Sequence, residues 1–238
     1  MIEKQNIYED QFVKNLFNRM SGSYERMNYI TSFGFSILWR SQFVKIFPRN
    51  NENLEIIDLL SGMGETWDSI LKNFPNAKLT ALDFSEGMTH YAKRKNKKKF
   101  NGAIKILQDD ILNSNLPSIH YDFVFCGFGL KTFNEEQLQI FAKEVYRILK
   151  PGGQLSFIDV SEPKNIFINF FYKFYLKNLI PILGKVFLGS PEEYKMLWSY
   201  TSKFRNAEKA TEIFKENNLT VQFTQYFYGC ATGFKGKK

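Results

Sequence analysis

The sequence predicts a doubly wound α/β fold: a mostly parallel sheet with helices on both faces. Three observations carry that reading. Short apolar runs alternate with helix-patterned segments from Leu54 onward. A glycine pair, Gly62 and Gly64, sits where the first run gives way to the first helix. Acidic residues close the first three runs, Asp58, Asp83 and Asp110, as expected where ligands gather at strand ends.

Each element follows in order. Residues 8–20, "YEDQFVKNLFNRM", space their apolar positions like an amphipathic helix, and helix-like segments continue to about Phe47. "PRNNEN" (48–53) is a polar linker opened by proline, so the main domain should span 54–238 beneath an N-terminal helical cover over 1–47. "LEIIDLL" reads as a buried strand and "ETWDSILKNF" as a helix. "AKLTALDF" is a strand, and "SEGMTHYAKRKNKKK" a helix with Ser85 as N-cap. "AIKILQDD" and "YDFVFCGF" are strands. "NEEQLQIFAKEVYRILK" is a helix capped by Asn134, with two acids in its first turn. "PGGQLSFIDVS" turns tightly into another strand. Two helices, "PEEYKMLWSYTSKF" and "AEKATEIFKENN", come late. "LTVQFTQYFYG" and "CATGFKG" close the chain with no room for a crossover, so they should pair antiparallel.

Between these lies "NIFINFFYKFYLKNLIPILGKVFLG" (165–189), intensely apolar, with polar residues Asn165, Asn169, Lys173 and Lys177 recurring every four positions as one narrow stripe. Three lysines, Pro181 and Gly184 argue against a membrane span. Packing against the domain is the first expectation. A lid over an apolar substrate (165–205) is the second, and a dimer or membrane-surface face the third.

Composition narrows the classes. With 238 residues, 44% hydrophobic and 24% charged, the chain suits one globular α/β domain. Its 25 phenylalanines suggest a large apolar pocket or a genome rich in Phe, Ile, Lys and Asn codons. The net charge of +8 is concentrated in "KRKNKKK" (93–99) and "KGKK" (235–238), read first as a solvated helix end and a basic tail. Cys126 and Cys230 lie far apart in apolar stretches, which suits reduced thiols in a cytoplasmic setting. "MIEKQNIYED" lacks the apolar core of a signal peptide. His90 and His120 are isolated, and no metal ligand set is expected.

The ligand follows from charge. A dinucleotide would explain an acid about 20 residues after the glycines. However, the loop "SGMGET" lacks the third glycine, and Asp58 and Glu65 flank the place where pyrophosphate would lie. Phosphates call for bare amides or cationic side chains there. S-adenosylmethionine carries no phosphate and is cationic at sulfur and at its amino group. Asp58 can attract the ammonium through the loop or a water. Gly62 and Gly64 let the backbone approach. Asp83 can accept both ribose hydroxyls, Asp110 the adenine 6-amino group, and the Ile111 amide can reach a ring nitrogen. Arg40 in "LWR" is a donor for the methionine carboxylate.

On "SGSYERMNYITSFGFSILWR", "IIDLLSGMGETW", "ALDFSEGM", "YDFVFCGFGLKTF", "YRILKPGGQLSFIDVSEP", "PEEYKMLWSY" and "GCATGFKGKK", the chain resembles class I S-adenosylmethionine-dependent methyltransferases, and among them the ubiquinone/menaquinone biosynthesis C-methyltransferase family. The resemblance spans nearly the whole chain. It implies a Rossmann-like seven-stranded sheet with the last strand antiparallel, S-adenosylhomocysteine as product, and a helical insert roofing an apolar, aromatic or quinol-like substrate. By position it implies cofactor contacts at Met63, Asp83, Asp110, Ile111 and Gly127, and Tyr24 at the active-site mouth. Leu60, Ser61, Phe84 and Met88 flank the same turns and join the cofactor candidates. Three departures stand out. "SGMG" replaces the usual "GGTG", Lys131 and Thr132 replace an arginine–asparagine pair, and Phe234 replaces a histidine. The last two bear on the acceptor rather than the cofactor.

Methyl transfer needs alignment, exclusion of water and an activated nucleophile. Lys131 is the candidate for activating or stabilising a phenolate, the other reading being a surface lysine after a strand. Tyr24 could relay or orient, or simply pack on the cofactor. Phe128, Tyr194 and Trp198 are candidate pocket residues, with core packing as the alternative. C-methylation leads, with O- or N-methylation or another reaction of the same cofactor next. A non-catalytic S-adenosylmethionine sensor is the alternative of a different class. An RNA substrate is disfavoured, because the basic run lies away from the expected pocket mouth.

Overall fold

The computed structural model describes residues 6–24, 26, 29, 32, 34–180, 182 and 191–238, the side chains of 191–195 excepted. The elements are α1 (Asp10–Met20), α2 (Phe35–Lys45), β1 (Glu55–Leu59), α3 (Trp67–Asn73), β2 (Lys78–Asp83), α4 (Glu86–Lys99), β3 (Lys105–Gln108), β4 (Tyr121–Gly127), α5 (Glu135–Ile148), β5 (Leu149–Val160), α6 (Ile166–Phe174), α7 (Pro191–Phe204), α8 (Glu208–Glu216), β6 (Thr220–Tyr226) and β7 (Ala231–Lys237). A π-helical turn, Tyr175–Leu179, continues α6.

The seven strands form one sheet in the order β3-β2-β1-β4-β5-β7-β6. The pairs from β3 through β5 are parallel, and β7 runs antiparallel to both β5 and β6. The expected antiparallel closing pair is present, with Thr220 opposite Lys237 and Tyr226 opposite Ala231. Strand order reverses between β1 and β4, and that reversal opens a crevice at their carboxyl ends.

Strand periodicity divides the core. Ile57, Leu59, Val124 and Cys126 point to the face covered by α5 and α8, with Phe141 and Phe214. Ile56, Phe123 and Phe125 point to the other, against Trp39, Phe43, Trp67 and Phe74. Each fully buried ring contributes roughly 1.5–3 kcal/mol, so much of the phenylalanine excess serves ordinary packing. Both cysteines are free and buried.

Local chemistry sets the boundaries. Ser85 Oγ accepts from the Met88 amide and caps α4. Asn134 and Gln137 form a reciprocal capping box on α5. The basic run ends α4, where Lys99 meets Asp68.

Helix α1 is fastened across the sheet end rather than left free. Asn18 Oδ1 accepts from Ser85 Oγ and the Gly87 amide, and Lys14 pairs with Glu86. The insert departs from the packed-core expectation. No residue of α6 is buried, and Phe167, Phe170, Phe171 and Phe174 are each more than half exposed. Its apolar pattern runs nearly all round the helix, so one side contacts the domain and the other is left to solvent. Among the described residues no helix is long and apolar enough to cross a membrane.

Candidate active site

The turn after β1 is built from left-handed backbone: Leu60, Gly62 and Gly64 have φ of 52°, 58° and 81°. Gly64 is required twice over, by that φ and because a Cβ there would lie 2.4 Å from the Trp67 ring. Two carboxylates already hold the loop amides. Gly62 N–H donates to Asp83 Oδ2 (2.8 Å), and Met63 N–H donates to Glu65 Oε2 (3.1 Å). Such a loop presents no bare amide nest there for a pyrophosphate. The other Asp83 oxygen accepts from the Ser85 amide at 2.9 Å. Asp58 lies beneath the loop, accepting from Ser61 Oγ (3.0 Å), and Ser61 Oγ in turn accepts from Trp67 Nε1 (2.9 Å).

The crevice wall includes Tyr24, Arg40, Leu60, Ser61, Gly62, Asp83, Phe84, Met88, Gly127 and Phe128. Asp110 and Ile111 line an adjoining depression that shares Leu60 and Phe84. Three candidates stand off the wall. Asp58 is behind Ser61, Gly64 is against Trp67, and Met63 is buried with its amide on Glu65. Glu65 and Phe17 line the crevice and were not singled out as contacts. The Glu65 signal was its place directly after the second glycine.

The electrostatics are those of a site for a cation. Burial lifts the Asp58 carboxyl to about 7, opposed by the Ser61 hydrogen bond and raised further by Glu65. Burial lifts Asp83 to about 6 despite its two amide donors. Asp110 is also raised, again chiefly by burial. Asp58 Oδ1 and Glu65 Oε1 are buried with no hydrogen-bond partner. Two orphaned carboxylate oxygens are a costly arrangement that an ammonium group would relieve. These acceptors therefore fit S-adenosylmethionine.

Beside the crevice is an apolar cavity of about 280 Å³. The two share Phe17, Tyr24, Arg40, Phe128 and Thr132. Leu16 and Met20 of α1, Trp39 of α2, and Leu176 and Ile180 of the insert supply much of its lining. Arg40 stacks its guanidinium 4.6 Å from the Phe128 ring centre.

Lys131 also lines this cavity and is buried, so it is not a surface lysine. Its Nζ donates to Asp159 Oδ1 (2.8 Å) and to the Phe128 carbonyl (2.5 Å), and its amide donates to Asp159 Oδ2 (2.9 Å). Asp159 is fully buried and accepts from the Val160 amide as well. Sequence reasoning passed over Asp159, although an acid near the end of β5 follows the pattern that drew attention to the other three.

The insert contributes through Met196, Leu197 and Tyr200 of α7, while Trp198 is half-buried against the same apolar cluster. The Tyr194 side chain lies outside the described residues. Phe234 is a correction. It is fully buried between Phe157 and Phe214, away from the cavity lining, so the missing histidine concerns packing rather than the acceptor. Among the described residues no group of three or more His, Cys, Asp or Glu is arranged to hold a metal ion.

A model of the ubiE/COQ5 methyltransferase family matches residues 4–238. The chain belongs to that family. It is an S-adenosylmethionine-dependent methyltransferase. The methyltransferase is 34% identical over 208 residues to a demethylmenaquinone methyltransferase of Lactococcus lactis, covering 87% of this chain and 81% of that protein. It is 29% identical over 236 residues to one of Listeria welshimeri, covering 97% and 98%. Among solved structures, a SAM-dependent methyltransferase from Aquifex aeolicus shares the fold with a TM-score of 0.57 at 20% identity, over 83% of this chain and 88% of that one. A Haemonchus contortus phosphoethanolamine N-methyltransferase 2 does so with a TM-score of 0.62 at 13% identity, over 92% and 60%.

Proposed function

We propose that the methyltransferase C-methylates an apolar aromatic acceptor of the hydroquinone type, like the acceptor named for its demethylmenaquinone methyltransferase relatives. The observation that carries this reading is the apolar cavity beside the acidic crevice, with a buried ammonium group in its wall.

The cofactor supplies an electrophilic methyl group on a sulfonium, whose neutral thioether leaves without acid catalysis. The chain's own residues do the rest. In this reading Asp83 accepts the ribose hydroxyls, and Asp110 with the Ile111 amide meets the adenine edge. The free oxygen of Glu65 accepts from the ammonium, Asp58 behind Ser61 attracts it through the loop or a water, and Arg40 meets the carboxylate. Helices α1 and α2 act as the cover, and the insert as the roof over the acceptor. Exclusion of water by this lining strengthens every charge interaction inside.

Lys131 is the activating group. A hydroquinone hydroxyl facing its ammonium gives up its proton to water more readily, and the phenolate raises electron density at the adjacent ring carbon, which would take the methyl and then lose its own proton to restore the ring. Asp159 fixes the lysine's position from behind. A phenolate held by Lys131 is also nucleophilic at oxygen, so O-methylation is the second reading.

The test is release of S-adenosylhomocysteine with a reduced, short-tailed naphthoquinol. Turnover with the quinol and none with a polar catechol of similar ring size supports the proposal. Equal turnover of both, or of neither, overturns it.

A further inference from the structure

We propose that α6, with the turn at Phe227 and Tyr228, is a docking surface for an anionic lipid bilayer, holding the cavity mouth against the membrane. Phe167, Phe170, Phe171 and Phe174 recur at helical spacing on one side of α6 and are 58–79% exposed. Scattered exposed apolar residues are ordinary, but a contiguous aromatic stripe is not. The opposite side of the same helix reaches the cavity through Tyr172, and the π-helical turn follows with Leu176.

The stripe meets the mouth. Tyr172 Oη donates to the Cys230 carbonyl (3.3 Å), and Gly229 lies beside Pro163, just ahead of α6. In that turn Phe227 lines the cavity yet is half exposed, and Tyr228 beside it is 70% exposed. Both have left-handed backbone, with φ of 39° and 55°. Non-glycine residues there cost conformational energy, and the turn leaves both rings half or more exposed.

Charge selects the partner. From Lys164 to Gly189 the sequence holds four lysines and no acidic residue. Lys164 and Lys173 each face one carboxylate, Glu208 and Glu162, and Lys177 is exposed. Phenyl rings flanked by lysines suit the boundary of an anionic bilayer, where the rings enter the acyl region and the ammonium groups stay with the headgroups. A second copy of the chain would bring lysine against lysine. The docking surface stands on these observations alone; only its use, admitting a membrane-dissolved acceptor, rests on the proposed function.

The test is co-sedimentation of the full chain with vesicles of phosphatidylcholine and phosphatidylglycerol in a three-to-one ratio, compared with pure phosphatidylcholine. The wild type should pellet with the anionic vesicles and release as salt rises. The double variant Phe167→Ser/Phe171→Ser should bind about a hundredfold more weakly, each ring withdrawn from water being worth roughly tenfold. Its S-adenosylmethionine affinity and turnover of a water-soluble quinol should be unchanged, which shows that it is folded. No binding by the wild type, or equal binding by the variant, overturns the proposal. So does a lipid-free dimer that the variant abolishes, which would assign the stripe to a second copy. Vesicle binding without quinol turnover leaves the docking surface standing and removes the acceptor assignment; the converse removes the docking surface alone.

Discussion

Lys131 and Asp159 form a pair whose worth can be reasoned from its surroundings. Their side chains are 7% and 0% exposed, so neither charge has ready access to water. Removing one partner of a buried pair costs roughly 3–5 kcal/mol, mostly for the charge left behind. The two halves differ in what they leave. Lys131→Met leaves a carboxylate still held by the amides of residue 131 and Val160, so it belongs near the lower figure. Asp159→Leu leaves an ammonium with only the Phe128 carbonyl, and orphans two amides besides, so it belongs at the upper figure. The double variant removes both charges and should cost less than the two singles summed, by about 2 kcal/mol or more. Urea unfolding with saturating S-adenosylhomocysteine measures all three. Stability changes that add to within about 0.5 kcal/mol would mean the two groups do not act as a unit, and the reasoning fails. The chemical half is read separately. Lys131→Met should cut turnover with the quinol while sparing cofactor affinity; persisting turnover makes Lys131 a bystander.

Two further outcomes concern the crevice. Asp83→Ala removes a carboxylate that holds the Gly62 and Ser85 amides and, in the proposed function, the ribose. Calorimetry should show cofactor affinity falling tenfold or more, about 1–3 kcal/mol for lost charged hydrogen bonds; unchanged affinity would refute the ribose assignment. The raised carboxyls predict a pH dependence. Folded Asp58 and Asp83 keep their protons to about 7 and about 6, against an ordinary value of 3.8. Their contribution to stability without cofactor is therefore present below the ordinary value and lost as pH rises through that window. A cationic ligand requires the ionised forms, so its affinity should fall as pH drops below 7, and its binding near pH 6 should release protons. Titration in two buffers of different ionisation enthalpy reads the release; none observed contradicts the assignment.

The sheet was legible because its signals are local. Glycines at positive φ, Ser85 and Asn134 as caps, and acids closing short apolar runs all act within a few residues of where they sit. The crevice was legible for the same reason, since β1 and β2 deliver Asp58 and Asp83 to one edge through neighbouring strands. The Lys131–Asp159 pair was not, because 28 residues and a whole helix separate its members and only the β4–β5 pairing joins them. Periodicity found the apolar surface of α6, but hydrophobicity alone does not say whether protein covers it. Phe234 looked like a change to the acceptor site and proved to be a core ring, because its side of β7 is decided by pairing with β5.

In the proposed function the cavity turns a bound hydroquinone into a carbon nucleophile. Supplying a labelled methyl group to the enzyme with the reduced naphthoquinol, and locating the label by NMR, tests it most directly. A new methyl on the ring carbon beside a hydroxyl is the expected result. Label found only as a methyl ether would contradict it.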